Sequence, residues 1–185
     1  FTFLYMYRVD VFIDWEMVLL MSIIILIQMF LAYLIIIYFE FTEYLVPVTV
    51  GAMTLTILFD ARIGFMSTVV VSILVGLMMG QNIDFVILSL FISTVAVYNI
   101  RELRKRSQLF ATMFALIGSS VIVIVALGLF KEQSMSKIFF DLQILTLNSF
   151  LAPILTYGLI GLIEMIFDIT TDLTLIELLD YDRPL

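Results

Sequence analysis

Chemistry in this chain must come from carboxylates, amides and hydroxyls, because it contains no histidine and no cysteine. Imidazole acid–base catalysis, thiol nucleophiles and His/Cys metal centres are thereby outside its reach. The sharpest single residue is Glu164, near one end of the apolar stretch Ile144 to Phe167. A carboxylate in such a run is costly and points to function. It falls in a series with Asn148, Ala152, Thr156 and Asp168 at helical spacing. Three roles suit Glu164: an interfacial group reaching headgroup water, an interhelical coupling contact, or a proton relay. The relay lacks a second central acid. Gln28, alone in its apolar run, reads as a packing contact.

Two further constellations are structural first and functional second. Asp60-Ala61-Arg62-Ile63-Gly64 turns the chain sharply, with Arg62 free to meet lipid phosphate. Asp60 either pairs with Arg62 or caps the helix that follows. Gly64, Thr68, Ser72, Gly76 and Gly80 recur every four residues. Small residues on one face let membrane helices approach closely, so Gly76 is expected at a helix–helix contact. A conduction path along the same stripe is the competing reading.

The elements holding these residues have to lie in a bilayer. Hydrophobic residues make up 63% of the chain and charged residues 14%, against about 25% charged in a soluble protein. Mean hydropathy is +1.20. Six runs approach or reach the length needed to cross the hydrocarbon: Met17–Tyr38, Leu45–Phe59, Gly64–Gly80, Ile83–Ile100, Leu109–Phe130 and Ile144–Phe167. The second and third are short, which calls for little tilt or a thin local edge. Continuous runs such as Val121-Ile122-Val123-Ile124-Val125 do not fit the alternation of a β-barrel. An all-α polytopic bundle is therefore expected, with about six full spans over 17–167. Residues 1–16 read as the end of a preceding helix and a cytoplasmic linker. Residues 168–185 read as a cytoplasmic exit helix.

Of the 9 basic residues, Arg8, Arg62, Arg101, Arg104, Lys105, Arg106 and Arg183 fall on one side of such a bundle. Only Lys131 and Lys137 fall on the other. The positive side should be cytoplasmic, with both termini of this segment there. Glu40, Glu43, Asp84, Glu132 and Asp141 would then face outward, and Trp15, Tyr38, Tyr44 and Tyr98 would form aromatic belts. A net charge of −7 argues against nucleic acid as a partner. In the exit segment, Leu175, Leu178 and Leu179 recur at helical spacing beside acids. That apolar face calls for a protein partner, such as a cytoplasmic domain beyond Leu185. The start at Phe1 and the end at Leu185 both read as edges of something longer.

Two blocks carry a resemblance. Tyr44-Leu45-Val46-Pro47 leads into Leu55-Thr56-Ile57-Leu58-Phe59-Asp60-Ala61-Arg62, and Glu164-Met165-Ile166-Phe167-Asp168-Ile169-Thr170-Thr171 leads to Leu175-Ile176-Glu177-Leu178-Leu179-Asp180 and Pro184-Leu185. The chain resembles the membrane region of the bacterial seven-transmembrane HD-domain proteins, a cyclic-di-AMP phosphodiesterase family. The resemblance implies an extracellular domain before the bundle and a cytoplasmic HD phosphohydrolase domain after it, the latter holding two divalent metals. Neither domain is in this sequence, and the absence of histidine excludes an HD metal site here. No catalytic, cofactor-binding or metal-binding residue carries over. The implied role is a non-catalytic membrane anchor that couples a signal to the phosphodiesterase in the bacterial inner membrane. Expected partners are membrane lipid and the flanking domains of the same protein, with self-association left open. A small transporter or channel subunit and a structural assembly subunit are the alternatives.

Overall fold

The computed structural model describes residues 15–39, 42–101 and 107–167. These form helices without a strand, as expected. Helix α1 spans Trp15–Tyr33 and continues as a π-helical turn, Leu34–Tyr38. A 3₁₀ turn at Glu43–Leu45 leads to α2, Val48–Leu58, followed by α3, Ala61–Met78, and α4, Ile83–Ile100. Helices α5, Ser107–Phe130, and α6, Met135–Phe167, complete the bundle. Five of the six are long and apolar enough to cross a membrane, and Glu43–Leu58 is the shorter sixth.

The short element is the centre of the bundle. Every residue of α2 from Val48 to Thr56 is buried, and α1, α3, α4 and α6 all pack against it. Eleven residues rise only about 16 Å, roughly half the hydrocarbon thickness. Neighbouring helices surround it, so its ends need not meet lipid, and irregular backbone at depth is tolerated where protein encloses it. Enclosure, rather than the expected thin edge or small tilt, accounts for its length.

The outer helices each bury one stripe. On α3 the buried positions are Ile63, Gly64, Ser67, Thr68, Val71, Ser72, Val75 and Gly76, a helix-period face. Their opposite faces expose Leu26, Phe30, Val70, Leu77, Phe91 and Ile122. Apolar surface this extensive suits acyl chains and not water.

The connectors follow local chemistry. Asp60 is the N-cap of α3, its carboxylate accepting from the Arg62 amide. Asn82 caps α4, its side chain accepting from the Phe85 amide. Between them, Gly80 and Gln81 have φ of 73° and 68°, closing α3 in the left-handed turn that glycine favours. The last helix begins at Met135 and not at Ile144. Ser134 starts it, its hydroxyl accepting from the Lys137 amide at 3.4 Å. Lys137 and Asp141 interrupt the apolar run there without interrupting the helix.

Candidate coupling site

Residues 46 and 47 leave regular helix, so nearby carbonyls must find donors elsewhere. Val46 is extended, and Pro47 precedes the first residue of α2. Side-chain amides from both flanks supply the donors. Asn148 of α6 donates its Nδ2 to the Tyr44 carbonyl at 2.8 Å and the Val46 carbonyl at 3.2 Å. Gln28 of α1 donates its Nε2 to the Val48 carbonyl at 3.0 Å. Gly51 makes room for that amide, since a Cβ there would lie 1.9 Å from Gln28 Nε2. From the α3–α4 turn, Asn82 Nδ2 donates to Glu43 Oε1 at 3.1 Å. The entry to α2 is thus clamped by three other parts of the chain.

Deeper in, α2 is held by close approach and by hydroxyls. A Cβ at Gly64 would fall 2.8 Å from the Ala52 carbonyl oxygen. Ser93 of α4 donates to Thr49 Oγ1 at 3.4 Å, and Thr156 of α6 meets Met53 Sδ at 3.8 Å. Helices α5 and α6 are joined by Ser120 and Ser149, whose hydroxyl oxygens are 2.6 Å apart. Pro153, buried within α6, has no N–H for the Ser149 carbonyl and weakens the helix there. At the other end of α6, Ile163 packs into a cluster with Leu20, Met21, Ile24, Leu55 and Ile63. One helix therefore touches both the clamped entry to α2 and the packed base of α1, α2 and α3.

The singled-out residues have unequal places in this arrangement. Glu164 lies partly exposed in the last turn of α6, beside Ile163. Asp60 caps α3, and Arg62 is exposed on its first turn. Gly76 faces α4: a Cβ there would lie 2.3 Å from Val86 Cγ2. Asp168, Leu175, Leu178 and Leu179 lie outside the described residues. Tyr44 packs against the main core cluster, with its hydroxyl near Glu43, Asp84 and Asp141. Trp15, Tyr38 and Tyr98 are exposed, and Arg101 stacks on the Tyr98 ring at 4.5 Å. Asp141 is 5% exposed, not the solvated connector acid its charge suggested. Its spacing to Leu145, Ser149, Ala152 and Thr156 is the available signal, and it lies outside the apolar run Ile144–Phe167. Among the described residues, no group of three or more His, Cys, Asp or Glu is placed to hold a metal ion.

Helices sheathing a buried central one, with amides and hydroxyls between them, define a multi-pass helical membrane protein. The chain belongs to a family described as 7TM receptor with intracellular HD hydrolase, whose family model matches residues 1–171. It is the bacterial, lipid-embedded membrane module of that architecture, separate from the hydrolase domain. No curated protein and no solved structure matches it.

Proposed function

We propose that this bundle anchors a cyclic-di-AMP phosphodiesterase and passes signals to it through α6. The observation carrying this reading is the placement of α6. Its buried face contacts the α2 entry at one end and the α1–α3 base at the other, and its last turn leads toward residues 168–185. A shift at the Asn148 clamp therefore reaches Glu164 without crossing a loop. The end bearing Arg62 and Arg101 is cytoplasmic on this reading, in line with the basic residues of the sequence. Leu175, Leu178 and Leu179 then present the exit helix to the hydrolase domain, which supplies the two metals and all the catalysis.

The test inserts one residue after Asp172 in the full-length parent protein. On a continuous helix this rotates everything beyond it by about 100° and advances it about 1.5 Å. Cyclic-di-AMP turnover, measured in membranes and normalised to protein amount, should change without loss of insertion. Two glycines at the same point should weaken the response further. Unchanged turnover in both variants, under conditions that switch the parent on and off, leaves a passive tether.

A further inference from the structure

Asp141 is 5% exposed, and among the described residues its carboxylate makes no hydrogen bond or ion pair while its oxygens stay accessible. Charged groups removed from water need a counter-charge. Asp141, Glu43 and Asp84 gather around the Tyr44 hydroxyl. Of the two cations nearby, Lys131 is committed to an ion pair with Asp84. Lys137 bears on Asp141 from one turn earlier on α6 but stays exposed and forms no ion pair with it.

Depth identifies what is available to answer that charge. The 33 residues of α6 rise about 50 Å, well beyond a hydrocarbon core of about 30 Å. With Phe167 near one interface, Asp141 falls at headgroup level on the other. The Asp84–Lys131 pair and the Asn82–Glu43 contact lie at this same rim. Phe139, Phe140 and Met135 are exposed beside it, an apolar flank suited to acyl chains.

We propose that Lys137 and Asp141 form a headgroup site for a phospholipid bearing a primary ammonium, such as phosphatidylethanolamine. The lysine takes the phosphate and the aspartate takes the ammonium. Residues four apart on a helix sit about 5–6 Å from each other, a spacing comparable to that between the two charges of an ethanolamine headgroup. Burial sets the selectivity. Only 5% of Asp141 is exposed, and a primary ammonium is compact and carries three N–H donors. A trimethylammonium group is bulky and carries none, so phosphatidylcholine cannot replace it.

The experiment compares the purified chain in nanodiscs of phosphatidylethanolamine and phosphatidylcholine with matched acyl chains, reading thermal unfolding. Wild type should melt several degrees higher with the ethanolamine lipid. Asp141→Asn should abolish the difference and Lys137→Met should shrink it, whereas Asp84→Asn should leave it intact. Native mass spectrometry of wild type, scoring which lipid is retained, covers the case in which Asp141→Asn does not fold. Equal melting and equal retention of the two lipids by wild type would overturn the proposal. So would a preference that survives Asp141→Asn. Soluble phosphoethanolamine added to phosphatidylcholine discs should have no effect at millimolar concentration. If it reproduces the full shift, the ammonium comes from solution and the lipid assignment fails.

Discussion

Glycine at Gly76 and glycine at Gly118 are chemically identical and physically opposite. A methyl group at Gly76 would run into Val86, whereas nothing lies within 4 Å of one at Gly118. Gly76→Ala should therefore destabilise the bundle by about 1–3 kcal/mol through overpacking. Gly118→Ala should stabilise it by about 0.5–1 kcal/mol, because alanine loses less backbone freedom in a helix. Detergent unfolding of the two variants should shift in opposite directions. Asn148 supports a second test at this scale. Asn148→Ala takes the side-chain donor from the part-buried Tyr44 carbonyl and one of two donors from that of Val46, which keeps the Val48 amide, at a cost of about 1–3 kcal/mol. Asn148→Gln, one methylene longer, should recover part of that loss. Equal melting of Asn148→Ala and wild type would show that the clamp contributes nothing.

Among the elements, α2 is the outlier, and hydrogen exchange should reveal it. Its backbone bonds lie inside the bundle and away from lipid and solvent, so exchange requires the surrounding helices to separate. Amides of residues 52–58 should exchange more slowly than those of α1, whose outward face includes Leu26 and Phe30, both more than half exposed. Faster exchange in α2 would mean that it is peripheral in the membrane. Element existence was readable in the sequence because apolar runs of about twenty residues have few folded alternatives. The central position of α2 was not readable, since its composition matches that of a lipid-facing helix. The start of α6 lies outside its apolar run for a related reason: hydropathy reports where lipid is met, and Ser134 capping reports where a helix begins. Asn148 and Gln28 were visible as polar exceptions in apolar runs. Their partners are backbone carbonyls about 20 and 100 positions away in the chain, which no local pattern encodes.

For the molecule as a whole, the testable statement is its orientation. The two connectors 79–82 and 131–134 lie at one end together with Glu43, tied by the Asn82–Glu43 and Lys131–Asp84 contacts. Arg62 and Arg101 lie at the other end, where α3 begins and α4 finishes. Single cysteines at Arg104 and Gln133, introduced into a chain with none of its own, report the two sides. An impermeant thiol reagent on intact cells should label position 133 and spare position 104. The reverse pattern inverts the molecule and puts the Lys137–Asp141 rim in the cytoplasmic leaflet. The isolated chain should also show no manganese-dependent cyclic-di-AMP hydrolysis, because it offers no imidazole ligand for a two-metal site. Turnover abolished by one substitution within this chain would relocate the chemistry into the bundle.

The sheathed α2 also constrains how the chain is made. Helices emerge from a ribosome in order, and α2 is complete long before α4 and α6 exist to cover it. Its eleven residues are too few to partition into lipid as a stable independent span, and Thr49, Thr54 and Thr56 lie among them. Only Phe59 and Asp60 separate it from α3, so the two can enter the bilayer as one helical hairpin. Biogenesis then has a built-in waiting period, with the future centre of the protein sheltered by α1 and α3 until synthesis reaches Asn148.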